Sequence, residues 1–186
     1  MNRSRALSIF QEAKAAGPYD EYPVLPPDID PQLHLSRNDR PQPFFLVCEH
    51  DCVLTQMSGR AIVFFKDANV LRFTLRPGDF VYVPAGTPHR IVPETESIQV
   101  RYKAREAGWE GVAWYCEKCG AELWRSEWNT AEQLPQTGYW DSCEAFNQDV
   151  AHRTCIGCGT VAPTIDLNGF RWRDIMTDLS AAKKKT

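Results

Sequence analysis

Apolar positions recur along this chain in two rhythms. Between residues 4 and 16, Ala6, Leu7, Phe10 and Ala13 fall at three- and four-residue intervals, and Gly17-Pro18 follows as a stop, so the spacing predicts one amphipathic helix. From residue 44 onward the rhythm changes. Short runs rich in Phe, Val, Ile, Leu and Tyr return at 44–48, 52–57, 61–65, 70–75, 79–83, 89–92 and 97–102. Turn formers separate them: Ser58-Gly59, Asp67-Ala68-Asn69, Pro77-Gly78, Pro84-Ala85-Gly86 and Pro93-Glu94. Strands spaced roughly 8–12 residues apart with turns between them predict a β-sandwich or barrel over 44–108.

The stretch between the two rhythms, 18–43, carries Pro18, Pro23, Pro26, Pro27, Pro31, Pro41 and Pro43. Missing amide donors and fixed φ angles at that density predict an arm without regular structure. Tyr22, Val24, Leu25 and Ile29 are apolar, which predicts that the arm is laid over a body. After Gly108 cysteine, tryptophan and loop residues take over, placing a boundary at 104–109. Three segments result: a helix and arm over 1–43, a barrel over 44–108, and a third module over 109–186.

The bulk composition narrows the function classes. The 186 residues carry a net charge of −3, which argues against a nucleic-acid partner needing a basic face. The Lys183-Lys184-Lys185 run reads as a solvated tail. No apolar run approaches the roughly 20 residues that cross a bilayer, so no membrane partner is expected. Gln11, Glu12 and Lys14 interrupt any signal-peptide stretch behind Met1-Asn2-Arg3-Ser4-Arg5, and a cytoplasmic location is expected. In a reducing compartment, closely paired cysteines bind metal or do redox chemistry.

Four of the seven cysteines form a repeated pattern: Cys116-Glu117-Lys118-Cys119-Gly120 and Cys155-Ile156-Gly157-Cys158-Gly159. A C-x2-C turn lets both sulfurs face one point, and two such turns complete a tetrahedron of thiolates around one structural Fe or Zn ion. The glycine after each second cysteine suits a positive φ. Two local disulfides are the alternative. They fit a reducing compartment poorly, and a thioredoxin-like pair needs a βαβ context that is absent. Cys48, Cys52 and Cys143 stand outside the pattern.

Gly78-Asp79-Phe80-Val81-Tyr82-Val83-Pro84-Ala85-Gly86-Thr87-Pro88-His89 matches the G-D-x4-P-x-G-x-x-H motif of cupin barrels. With Trp114-Tyr115-Cys116-Glu117-Lys118-Cys119-Gly120 and Arg153-Thr154-Cys155-Ile156-Gly157-Cys158-Gly159-Thr160-Val161-Ala162-Pro163, it makes 33–163 resemble the bacterial 3-hydroxyanthranilate 3,4-dioxygenases. The resemblance implies a mainly β fold: one cupin (double-stranded β-helix) barrel, an N-terminal helix, and a C-terminal rubredoxin-like metal module. It also implies an Fe(II) in the barrel that binds an aminophenol carboxylate and O2 for ring opening. His89 matches the motif's ligand histidine. Counted back from Gly59, however, the family's ligand glutamate falls on Cys52 and its first histidine on Leu46. The family's arginine past the ligand histidine falls near Pro93, and its pocket glutamate near Arg101. Arg40 corresponds to the arginine before the first motif.

Two readings of the altered pocket follow. One is a rebuilt metal site of His89 with Cys48, His50, Glu49 and Cys52, in which Cys48, His50 and Cys52 share one face of an extended strand; such ligands suit Zn or Cu. The other, which the residues favour, is a barrel without metal: Arg101, with His89 and Arg40, binds the carboxylate of a small aromatic acid, His89 acts as acid, base or donor, and Cys52 acts as a nucleophile. The expected function is therefore a divergent dioxygenase-like cupin acting on or binding a small aromatic acid. The alternatives are a non-catalytic ligand-binding or partner-subunit cupin, and ring cleavage with unconventional iron ligands. Analogy with cupins adds an expected homodimer.

Overall fold

The structure, a computed structural model, describes residues 7–183; the N-terminal part of the helix expected over 4–16 and the last lysines of the C-terminal run lie outside the described residues. The helix is short, α1 (Ile9–Glu12), and turns carry the chain on to Ala15. Eleven strands follow among the described residues: β1 (Tyr22–Pro23), β2 (Gln32–Asn38), β3 (Phe45–Cys48), β4 (Cys52–Ser58), β5 (Ala61–Phe65), β6 (Arg72–Leu75), β7 (Phe80–Val83), β8 (His89–Pro93), β9 (Ser97–Lys103), β10 (Trp109–Tyr115) and β11 (Glu122–Asn129). Helices α2 (Pro135–Gln148), α3 (Val150–Arg153) and α4 (Trp172–Lys183) complete the chain.

The strands form two antiparallel sheets, ordered β1-β2-β9-β4-β7 and β11-β10-β3-β8-β5-β6. From β3 to β9 the chain passes repeatedly from one sheet to the other, the winding of a cupin barrel. Alternation explains the closure: β4 turns Cys52, Leu54 and Gln56 inward and β5 turns Ala61, Val63 and Phe65 inward. The core between the sheets is continuous with an aromatic cluster in which Tyr19, Phe44, Tyr139 and Trp172 meet with centroids 5.2–6.0 Å apart. Gly138 lets α2 approach this cluster, since a Cβ there would run into the Trp128 ring.

Two expectations need correction. The proline-rich arm is not wholly irregular: β2 pairs with β9 along its full length, Gln32 opposite Lys103 through Asn38 opposite Ser97. Its prolines lie before Gln32 or after Asn38, and the proline-free stretch between is free to donate to a ladder. The sheets also run past 44–108 on both sides. β10 pairs with β3, and the β10–β11 hairpin carries the first cysteine pair at its tip, so strands of the barrel run directly into the cysteine module. No helix of the described residues is long and apolar enough to cross a membrane.

Candidate functional site

The four-cysteine site is built twice from the same local geometry. Cys116 N donates to Ala121 O and Gly120 N to Cys116 O, both at 2.8 Å; Cys155 N donates to Thr160 O and Gly159 N to Cys155 O, again at 2.8 Å. Gly120 and Gly159 take the positive φ expected of them, 77° and 71°. The four sulfurs lie within 4.8 Å of one another, with Cys116 to Cys158 at 3.6 Å and Cys119 to Cys155 at 3.4 Å. Tetrahedral thiolates about 2.3 Å from an ion stand about 3.8 Å apart, so these residues fit a single metal ion held by protein alone. Stacked rings fix the site to the barrel: Trp114 on Trp124 and on Phe146, and Trp124 on His152 at 4.1 Å. Trp109 stays half exposed at the other end of β10.

Inside the barrel the inward faces of β9 and β4 are polar. Asn38 Nδ2 donates to Gln99 Oε1, Gln99 Nε2 to Gln56 Oε1, and Gln56 Nε2 to Ser58 O, a chain of amides across the strands. Beside it, Arg101 is 1% exposed and His89 is fully buried. Nδ1 of His89 lies 3.0 Å from the Thr87 carbonyl, so it carries the proton, and Nε2 accepts from Arg101 Nη1 at 2.6 Å. Burial first, then the charge of Arg101, holds the imidazole well below its ordinary pKa and neutral. Arg101 Nη1 also donates to Cys52 Sγ at 3.3 Å, and its Nε donates to both oxygens of Glu21 at 3.1 and 3.2 Å. Lys103, next inward on β9, pairs with buried Glu110.

Glu21 and Tyr19, which sequence reasoning missed, enter this interior from the arm. Both adopt left-handed backbone, φ 46° and 48°, a strained conformation for such residues that surrounding bonds must fix. Tyr19 N donates to Asn38 Oδ1, Glu21 N to Ser36 Oγ, and Gln136 Nε2 to the Asp20 and Glu21 carbonyls. β2 thus points its polar residues inward to hold the loop, and turns Leu35 outward beneath Ala13 and Ala16.

Of the residues singled out in the sequence, His89, Cys52 and Arg101 come together, with Cys48 against Cys52. His50 and Glu49 do not join them. The chain bends at these positions and leaves both exposed, so Cys48, His50 and Cys52 do not share a strand face. Arg40 stands apart as well, paired with Asp39 at 2.7 Å and donating to the Asn168 carbonyl. An iron centre of two histidines and a carboxylate does not fit the barrel. Leu46, directly across from His89, offers no donor, Cys52 beside Arg101 brings a thiol and not a carboxylate, and the Nε2 lone pair faces a permanent cation. The rebuilt site fits no better, because His50 is outside. Among the described residues, the four paired cysteines alone bring three or more candidate ligand atoms together.

A cavity of about 330 Å³ lies outside the barrel interior, where β3, β8 and the end of β10 meet the chain following the second cysteine pair. Phe45, Trp114, Tyr115 and Phe170 supply aromatic walls, and the charged lining residues are Arg40 and Arg90 with Glu117 and Asp166. Arg90 donates its Nε to the Gln42 carbonyl and has no ion-pair partner among the described residues. The space beside Cys48 and Cys52 is only about 10 Å³.

No family model matches the chain. Curated relatives do. It is 30% identical over 92 residues to 3-hydroxyanthranilate 3,4-dioxygenase 1 of Aspergillus oryzae, covering 48% of this chain and 47% of that one. It is 30% identical over 100 residues to the 3-hydroxyanthranilate 3,4-dioxygenase of Podospora anserina (53% and 50%), and 26% identical over 111 residues to that of Xanthomonas campestris pv. campestris (58% and 62%). The chain spans about half the length of the first two and somewhat more of the third. Among solved structures, a hydroquinone 1,2-dioxygenase from Sphingomonas sp. TTNP3 with 4-hydroxybenzoate bound aligns at 18% identity and a TM-score of 0.44, over 51% of this chain and 71% of that one. A cupin-2 domain protein from Shewanella frigidimarina aligns at 16% identity and a TM-score of 0.46, over 53% and 94%.

Proposed function

We propose that this chain, a homologue of 3-hydroxyanthranilate 3,4-dioxygenases with a cupin barrel and a four-cysteine cluster, binds a small aromatic carboxylate without the dioxygenase reaction for which those relatives are named. The observation that carries this reading is the Arg101–His89 contact. The nitrogen that a barrel metal would need is an acceptor for a guanidinium instead.

The outer cavity suits such a ligand. Its 330 Å³ falls in the range of small-molecule sites, its walls are aromatic, and Arg90 has guanidinium nitrogens to offer a carboxylate. A second reading places the carboxylate inside the barrel, in exchange for Glu21. Arg101 Nη2 and the Tyr19 hydroxyl, both buried donors without partners, favour it.

Calorimetric titration with 3-hydroxyanthranilate and related aromatic acids, alongside oxygen uptake with Fe(II) supplied, tests the proposal. Binding without oxygen uptake supports it, and uptake with ring opening refutes it. Loss of binding in Arg90→Ala locates the ligand in the outer cavity; loss in Arg101→Lys alone locates it in the barrel. No binding of any tested acid ends both readings.

A further inference from the structure

Two buried cysteines outside the metal cluster lie together where β3 passes into β4. Cys48 ends β3, Cys52 begins β4, and only Glu49-His50-Asp51 separates them. Both side chains line one small space, and Arg101 Nη1 donates to the Cys52 sulfur at 3.3 Å. A buried guanidinium therefore faces Cys52, with Cys48 beside it. Buried Lys103 adds a second positive charge in the same direction. The small space of about 10 Å³ beside exposed His50 and Asp51 is lined by both cysteines and Lys103. It is about large enough for one water-sized molecule.

We infer that Cys48 and Cys52 form a dithiol site that a small hydroperoxide oxidises to an intramolecular disulfide. The neighbouring Cys48 thiol, and the charge of Arg101 3.3 Å away, bring the Cys52 thiol down to about 6 against the opposing effect of burial, and so favour its thiolate. The neighbouring Cys52 and burial push the Cys48 thiol up. In the first step the Cys52 thiolate attacks one oxygen of hydrogen peroxide. An S–O bond forms, the O–O bond breaks, and the departing hydroxide takes a proton to become water. Cys52 is thereby oxidised by two electrons to a sulfenic acid. In the second step the Cys48 sulfur attacks the Cys52 sulfur. The S–S bond forms, the S–O bond breaks, and the hydroxyl leaves with the Cys48 proton as water. The sum is two thiols and one peroxide giving one disulfide and two waters.

The contact also sets selectivity. A bulky disulfide oxidant does not fit a space of about 10 Å³, which favours the smallest hydroperoxide, hydrogen peroxide. Cys143 is an internal control. It is fully buried, its thiol is pushed up by burial, and no cation faces it.

The test is a time course on zinc-loaded full-length protein exposed to stoichiometric hydrogen peroxide, alkylated, digested and mapped by mass spectrometry. A Cys48–Cys52 disulfide is expected, appearing roughly tenfold faster than any oxidation of Cys143 and reversed by dithiothreitol. Glutathione disulfide at the same concentration is expected to leave both thiols free. Cys48→Ser is expected to stop at a Cys52 sulfenic acid trapped by dimedone, and Cys52→Ser to leave Cys48 unreacted. The wild-type time course decides the matter even if either variant fails to fold. Recovery of Cys48 and Cys52 as alkylated free thiols, or consumption of Cys143 at an equal rate, overturns the inference.

Discussion

The Nη1 atom of Arg101 donates to Nε2 of His89 across 2.6 Å, inside the barrel, where both side chains are buried. Everything else at the centre follows from this pairing. A buried guanidinium needs a carboxylate, and Glu21 supplies it from the arm, 80 residues earlier in the chain.

The Glu21–Arg101 pair is expected to be strongly coupled. Glu21→Ala strands a buried cation and should destabilise the fold by about 3–5 kcal/mol. The double variant Glu21→Ala/Arg101→Met should lose clearly less than the sum of the two single changes. Urea denaturation of the four proteins measures the cycle, and additivity within about 0.5 kcal/mol would separate the two residues energetically.

Stability should fall with pH because His89 is held neutral. Its folded pKa lies well below the ordinary value near 6.5, so below that pH the unfolded chain binds a proton that the native state does not. The native state loses up to about 1.4 kcal/mol per pH unit as the pH falls below about 6.5, until the folded pKa is reached. His34, pushed down to about 4 chiefly by burial, acts in the same direction. Denaturation midpoints at pH 7.5 and 5.5 should differ accordingly, and His89→Gln should flatten the slope. An unchanged slope would mean that His89 is charged in the native protein.

The barrel's existence was legible because alternating apolar residues and turn glycines are local signals, and the cysteine site because C-x2-C spacing is local too. The less legible parts rest on pairings remote in sequence. β2 was hidden by its polarity: Ser36 and Asn38 face the interior and Leu35 faces out, the reverse of an ordinary half-buried strand. Nothing in the residue types of Tyr19 or Glu21 announces a left-handed backbone, and Glu21 finds Arg101 only after β2 and β9 have paired. Reading Glu49-His50-Asp51 as extended placed His50 in the pocket, where a bend keeps it outside.

Loss of the ion from the cysteine site should loosen the adjoining hairpin, since β10 and β11 end at the first pair. Dialysis against a chelator, or Cys119→Ser, is expected to lower Tm by on the order of 10 °C, and zinc should restore the chelated wild type. A Tm indifferent to the chelator would remove the structural role of the metal.

Gly138→Ala tests the close approach of α2 to the aromatic core. The added methyl meets the Trp128 ring, and overpacking of this kind should cost about 1–3 kcal/mol despite alanine's better helix propensity. A stabilised variant would contradict the packing described.

An anomalous-difference map at the iron edge, from crystals grown with excess Fe(II), addresses the barrel most directly. A single peak among Cys116, Cys119, Cys155 and Cys158 is expected, with Arg101 Nη1 still against His89 Nε2. A second peak bonded to His89 Nε2, with Arg101 swung away, would contradict the account.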